Sequence, residues 1–121
     1  MKLYYMNKVF FKKSGLLLSI LFLTSLAFGQ KKDTTITFKV WGNCEMCKRT
    51  IETALEVKGV KDAAWDKDTK MISITYNPEK ITEDKIHQLI AASGYDTEKT
   101  KGDDKAYQGL PHCCQYQRKQ P

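Results

Sequence analysis

The sequence lacks the residue patterns that mark most enzyme active sites. It has two histidines, His87 and His112, in 121 residues. It contains no glycine-rich phosphate loop, no carboxylate pair placed for acid–base chemistry and no nucleophile with a matching base. The sequence therefore predicts a protein that is not an enzyme.

Long apolar runs are also absent. The longest continuous, mostly apolar stretch is residues 15–23, well below the roughly 20 residues that a stable membrane-spanning helix needs. It follows residues 1–14, which carry four lysines and no acid, and precedes the small residues Ala27 and Gly29. This order predicts a signal peptide over residues 1–29, an exported, periplasmic protein, and no stable membrane insertion after cleavage. The alternative is an uncleaved N-terminal anchor.

The rest of the chain has no large excess of charge of one sign. The formal net charge is +6, and four of the positive charges lie in the predicted signal peptide, which leaves +2 after it. Acidic and basic residues are interspersed, and no predicted strand combines basic and aromatic residues on one face. A nucleic-acid partner is therefore not expected.

Cysteine is scarce, and the four cysteines form two close pairs, Cys44 with Cys47 and Cys113 with Cys114. An exported protein can form disulfides, and four cysteines allow three pairings among which the sequence does not choose. A bond between neighbouring cysteines is strained, and two close pairs far apart in the chain differ from four spread anchors. The spacing therefore argues against a simple disulfide framework.

Hydrophobic periodicity predicts six elements in the part that follows the signal peptide. They are a strand at 34–40, a helix at 44–58, strands at 60–66 and 70–76, a helix at 82–93 and a strand at 95–99. This β-α-β-β-α-β order predicts an α+β, ferredoxin-like sandwich, with two helices on one face of a four-stranded antiparallel sheet. The domain would span residues 34–99. The polar residues 100–121 would form a C-terminal tail with one helical turn near 104–108.

The motif Cys44-x-x-Cys47 lies in the segment Trp41-Gly42-Asn43-Cys44-Glu45-Met46-Cys47, where the first strand is expected to meet the first helix. Further motifs follow in order: Ile51 and Leu55, Gly59-Val60, Tyr76-Asn77-Pro78 and Ser93-Gly94-Tyr95. In this combination residues 34–99 resemble the heavy-metal-associated domain family. That family includes copper chaperones, metal-binding domains of P-type ATPases and periplasmic mercury-binding proteins.

The resemblance implies an exported protein that binds a soft metal ion and carries or sequesters it. Cys44 and Cys47 would be the ligands. The partner would be a metal-transporting or metal-accepting protein, such as a P-type ATPase domain, and the protein would be a monomer or a metal-bridged dimer.

The chemistry of the Cys44 and Cys47 side chains agrees with such a site. The thiolate is the form that binds metal, and the N–H groups and dipole at a helix N-terminus stabilise it. Two thiolates without a carboxylate partner favour a soft ion. Cu(I) is the first choice, followed by Hg(II) and Zn(II), although closed zinc sites usually have four ligands. The alternative is that the pair forms a thiol–disulfide redox centre, as in thioredoxin-like folds.

Gly42 departs from the family, whose members usually have methionine two residues before the first cysteine. That methionine packs under the metal-binding loop, and Met46 or Trp41 is the candidate to fill its space here. Tyr95 lies in the loop where copper chaperones have a residue that tunes the site. Tyr95 is therefore either such a residue or a core aromatic.

Other side chains are interpreted without a functional role. Trp65 and Met71 are expected to pack in the core or on the surface, and His87 is expected to be a solvated histidine on the second helix.

The tail contains three candidate additional ligands, His112, Cys113 and Cys114, because histidine and cysteine both bind soft or borderline ions. The tail is expected to start about one strand length, roughly 20 Å, from the metal-binding loop. Residues 100–112 span at most about 43 Å when extended, so the tail can reach Cys44 and Cys47. The alternatives are exposed thiols or intermolecular disulfides.

Overall fold

The computed structural model describes residues 32–121. The predicted signal peptide lies outside the described residues. Within the described part, no helix combines the length and the apolar character needed to cross a membrane.

The chain folds in the predicted order through its first five elements. The elements are β1 (Thr34–Lys39), α1 (Glu45–Ala54), β2 (Val60–Trp65), β3 (Met71–Tyr76), α2 (Glu83–Ala92), α3 (Asp104–Gln108) and a 3₁₀ turn (His112–Cys114). The Thr82 side chain accepts a hydrogen bond from the Lys85 N–H and caps the start of α2. The helix α3 confirms the helical turn that the sequence predicts in the tail.

The three strands form an antiparallel sheet in the order β1-β3-β2. Phe38 of β1 pairs with Ile72 of β3, and Trp65 of β2 pairs with the same Ile72 from the other side. Apolar side chains alternate along β3, so Ile72 and Ile74 point into a core that the helices cover. One cluster of buried residues joins the sheet with both longer helices.

The predicted fourth strand at 95–99 does not form in the described chain. A single antiparallel bridge joins Val40 and Thr97, and the chain then turns away. The Thr97 N–H donates to the Thr100 carbonyl, and the Thr97 hydroxyl accepts from the N–H groups of Lys99 and Thr100. The threonine side chain thus stabilises a tight turn, which replaces the ladder of a strand.

The prediction for His87 is wrong, because this side chain is only 1% exposed. Its ring stacks on Phe38 with 3.9 Å between the ring centroids, and Nδ1 shares a 2.6 Å hydrogen bond with the Thr97 hydroxyl. Burial lowers the pKa of His87 and the Lys99 ammonium lowers it further, while Glu83 and Asp84 oppose these effects. The neutral form of His87 is therefore the one that the fold stabilises.

The lowered pKa of His87 predicts that stability falls in mild acid. The unfolded chain takes up a proton near the ordinary pKa of 6.5, before the folded chain does. The contribution of His87 to stability is therefore fully present above pH 6.5 and is lost as the pH falls through the lower pKa of the folded protein. Denaturant unfolding between about pH 7 and about pH 5 should show this loss, and His87→Gln should reduce it.

The matched control is His112→Gln, because His112 is exposed. That variant should keep the wild-type pH dependence. An unchanged pH dependence in His87→Gln would show that His87 does not cause the loss of stability in mild acid.

Candidate metal centre

The first two cysteines lie at the junction between β1 and α1. Cys44 precedes α1 in an extended conformation and acts as its N-cap residue, and Cys47 lies in the first helical turn. The Cys47 side chain is fully buried and Cys44 is half-buried. Their Sγ atoms are 3.6 Å apart. The strand-to-helix junction therefore brings both sulfurs to one point.

The space under this loop is filled by Trp65, at the end of β2. A Cβ atom added to Gly42 would lie 2.9 Å from Cζ2 of Trp65 and 3.3 Å from the Cβ atom of Cys47. The indole Nε1 donates a 3.1 Å hydrogen bond to the Val40 carbonyl, which holds the ring in place. Gly42 is thus the residue that lets the ring lie against the loop, and the expectation that Trp65 packs in the core is confirmed.

Neither side chain proposed from the sequence occupies that space. Met46 is 49% exposed. Trp41 is half-buried at the surface, within 4.6 Å of the Lys39 ammonium and 5.7 Å of the Lys119 ammonium. The ring of Trp65, from β2, is therefore the side chain that packs against Gly42 and Cys47 under the loop.

The tail brings one more sulfur to the pair. Cys114 is 1% exposed, and its Sγ atom lies 3.9 Å from that of Cys44. The Sγ atoms of Cys44, Cys47 and Cys114, here called the three-sulfur group, all lie within 4.8 Å of one another. The other tail candidates, His112 and Cys113, are exposed and stand outside this group.

The spacing of the three-sulfur group suits a single ion. With a metal–sulfur bond of about 2.3 Å, two sulfurs on a linear ion are ~4.6 Å apart and two on a trigonal ion ~4.0 Å. The separations of 3.6 Å from Cys44 to Cys47 and 3.9 Å from Cys44 to Cys114 are shorter than the linear value and lie near those of a trigonal ion and of a tetrahedral ion, which is ~3.8 Å. Small side-chain adjustments would therefore complete a three-coordinate site.

The start of α1 favours the thiolate of Cys44. The backbone N–H of Cys47 makes the largest contribution to a pKa of Cys44 that is lowered to about 7. Burial opposes this effect, and the Cys47 side chain and the N–H of Met46 add to it. Both N–H groups belong to the first turn of α1, where the helix dipole also favours a negative charge. By contrast, burial and the neighbouring Cys47 raise the pKa of Cys114. Cys114 therefore keeps its proton in the metal-free protein, and a metal ion that binds its sulfur must displace that proton.

Tyr95 lies beside the group and within the core. Its side chain is fully buried, and its hydroxyl has no hydrogen-bond partner among the described residues. Burial and the adjacent Cys47 thiol raise the pKa of Tyr95, so the hydroxyl keeps its proton. The residue is thus a core aromatic that also places an O–H group next to Cys47.

A set of contacts here called the tail anchor (Asp96, Tyr116 and Arg118) holds the tail against the domain. Arg118 donates from Nε to Oδ2 of Asp96 over 3.1 Å and from Nη2 to Oδ1 over 2.6 Å. Burial alone would raise the pKa of Asp96, but Arg118 and two backbone N–H groups together lower it, so the carboxylate is charged. The Tyr116 hydroxyl donates to the Gly94 carbonyl and accepts from the Asp96 N–H, at 2.8 Å each.

The tail anchor is a feature that sequence reasoning missed. Cys114 lies two residues before Tyr116, so these buried contacts determine where its sulfur lies. The only local signals were an aspartate next to Tyr95 and a single arginine in a polar tail. Neither signal indicates a partner.

The comparisons with known proteins agree with the fold. The family model for the heavy-metal-associated domain matches residues 37–96. The copper chaperone CopZ of Staphylococcus epidermidis is 33% identical over 55 residues, which cover 45% of this chain and 81% of CopZ. This chain therefore belongs to the heavy-metal-associated domain family. A zinc-transporting ATPase of Synechocystis is 41% identical over 54 residues, which cover 44% of this chain and only 8% of the ATPase.

Solved structures support the same assignment. A CopZ metallochaperone is 27% identical with a TM-score of 0.51, covering 53% of this chain and 98% of that one. Oxidized MerP from Ralstonia metallidurans CH34 is 26% identical with a TM-score of 0.52, covering 55% and 96%. The ferredoxin-like class is confirmed by these likenesses, with a three-stranded sheet in the described part of this chain. The family match includes Cys44 and Cys47 and ends before Cys114.

The contact between Gly42 and Trp65 predicts that Gly42→Ala destabilises the fold by about 1–3 kcal/mol, because the added methyl group overpacks the loop. Denaturant unfolding of Gly42→Ala, Trp65→Phe and the double variant measures it. The smaller ring should reduce the cost of the alanine, so the double variant should lose less than the two single losses combined.

Gly109→Ala is the control, since its added Cβ would meet only carbonyl oxygens at 3.6 Å. It should change stability by less than about 1 kcal/mol. Strict additivity of the Gly42 and Trp65 effects would contradict the proposed contact.

The tail anchor predicts that Arg118→Ala leaves the buried Asp96 carboxylate without its cation and releases the tail. The free energy of unfolding should fall by about 2–3 kcal/mol. This is less than for a fully buried pair, because the Arg118 side chain is 21% exposed. Alkylation of the metal-free protein, mapped by mass spectrometry, should become much faster at Cys114. Lys101→Ala, which removes an exposed ion pair, is the control. Continued protection of Cys114 in Arg118→Ala would refute the role of the anchor.

Proposed function

We propose that this protein binds a soft metal ion, with Cu(I) favoured, through Cys44, Cys47 and Cys114, and that it carries or sequesters the ion. The observation that carries the proposal is the convergence of these three sulfurs within 4.8 Å. Two of them come from the family's cysteine motif and the third comes from the tail.

The ligand chemistry supports a soft ion. Every member of the group offers sulfur, and no carboxylate of the described residues belongs to it. Thiolates favour soft ions, whereas Mg²⁺ and Ca²⁺ require oxygen. Zinc usually completes a shell of four ligands, which three cysteines do not fill. The preference is therefore Cu(I), then Hg(II), then Zn(II).

Delivery of the ion would use exchange between thiolates. A three-coordinate ion can bind a thiolate of the partner and then release one of its own, so that no free ion forms. The zinc-transporting ATPase among the relatives makes a metal-transporting protein, such as a P-type ATPase domain, the favoured partner. The same exchange would permit a metal-bridged dimer. We also propose that the protein is exported and works in the periplasm.

A thiol–disulfide redox protein is the weaker candidate. The relatives named above are CopZ, MerP and a zinc-transporting ATPase, and they give that alternative no support. The chaperone CopZ argues indirectly against an enzyme.

Competition for Cu(I) with a chromophoric chelator tests the proposal. Cys44→Ser/Cys47→Ser should lose affinity by more than about 100-fold, since even outer-shell changes at metal sites cost about 10–100-fold. Cys114→Ser should also bind more weakly, because it removes the third sulfur. Thr53→Ser, at an exposed position of α1, is a matched control and should bind like the wild type.

Two results would contradict the proposal at different levels. Wild-type affinity in Cys44→Ser/Cys47→Ser would show that these two cysteines do not bind the metal. Wild-type affinity in Cys114→Ser would reduce the site to the two cysteines of the motif.

A further inference from the structure

We infer that Met46 and Cys113 form a second, solvent-facing soft-metal site, which shares Cys114 with the three-sulfur group. This inference rests on the proposed function and extends it. The residues concerned are the exposed methionine of α1 and the exposed cysteine of the 3₁₀ turn. Neither belongs to the group described above.

The sulfur atoms form a continuous row from the core to the surface. Cys47 is 3.6 Å from Cys44, and Cys44 is 3.9 Å from Cys114. Cys114 is in turn 3.9 Å from Cys113, and Cys113 is 3.5 Å from the Met46 Sδ atom. No gap between neighbouring sulfurs exceeds 3.9 Å. An ion could therefore move along the row by exchanging one sulfur at a time.

The position of Met46 has no packing explanation. It is the one large hydrophobic side chain among the described residues that is strongly exposed, at 49%. It borders an open groove of about 720 Å³ that Cys113 also lines, together with two lysines and two acidic residues, Lys67, Lys70, Glu45 and Asp68. The thioether therefore meets both solvent and a thiol, which is the arrangement of an accessible soft ligand pair.

The backbone of Cys113 is also held in place over the inner site. Its carbonyl accepts hydrogen bonds from the Asn43 side-chain amide at 3.5 Å and from the Cys44 thiol at 3.7 Å. The tail thus carries Cys114 inward and Cys113 outward from one short turn. The two sites would be adjacent, with the Cys114 sulfur between them.

The coordination chemistry of the outer site is consistent with weaker binding. A thioether, a thiolate and a bridging thiolate would surround one ion, and separations of 3.5 Å and 3.9 Å are below the ~4.6 Å at which one ion can still bind two sulfurs. Binding would release the proton of the Cys113 thiol to solvent, and the oxidation state of the ion would not change. The outer site would therefore be the place where an ion enters and leaves.

Titration of the full chain with Cu(I) under reducing, anaerobic conditions tests the inference. The protein carries ¹³C-labelled methionine methyl groups, and Cu(I) is added from a weak chelator. The first equivalent should leave the Met46 methyl signal nearly unmoved, and the second should shift it, while the Met71 signal stays in place. Met46→Leu identifies the signal.

The variant Met46→Leu/Cys113→Ser should keep the first equivalent with wild-type affinity and lose the second. Met71→Leu is the matched control for the loss of a methionine and should bind two equivalents. Saturation of the wild type at one equivalent, or a second equivalent that leaves the Met46 methyl unmoved, would overturn the inference. Binding of the first equivalent by Cys44→Ser/Cys47→Ser with wild-type affinity and with the Met46 methyl signal unmoved would instead overturn the proposed function, so the two failures are distinguishable.

Discussion

The buried ion pair between Asp96 and Arg118 is the interaction on which the position of the tail depends. Asp96 is 1% exposed and receives two hydrogen bonds from Arg118 as well as two from backbone N–H groups. A carboxylate so deeply buried is stable only while its charge is matched. The tail therefore has one well-determined path across the domain, and Cys114 reaches the cysteine pair because that path passes over it.

The same interactions explain why the sheet has three strands. The N–H of Asp96 donates to the Tyr116 hydroxyl, and the N–H of Thr97 donates to the Thr100 carbonyl of the following turn. These backbone groups are therefore committed to the tail and to the turn, and the fourth strand is reduced to a single bridge. The protein thus has a shorter sheet edge and a tail that is packed against the domain.

How much of this was predictable depends on how local each interaction is. Cys44 and Cys47 are predictable because a strand, a turn and a helix start within a few residues of them. The contact of Trp65 with Gly42 joins residues 23 positions apart, and the pair of Asp96 and Arg118 joins residues 22 apart. Periodicity carries no information on such pairs. His87 is buried, contrary to the prediction, because the buried face of α2 includes it, whereas Leu89 is only half-buried.

The central claim is that the tail supplies a third sulfur to the ion bound by Cys44 and Cys47. X-ray absorption spectroscopy of the protein loaded with one equivalent of Cu(I) counts the sulfurs around the metal directly. The account predicts three sulfur neighbours in the wild type and two in Cys114→Ser. Two sulfur neighbours in the wild type would contradict it.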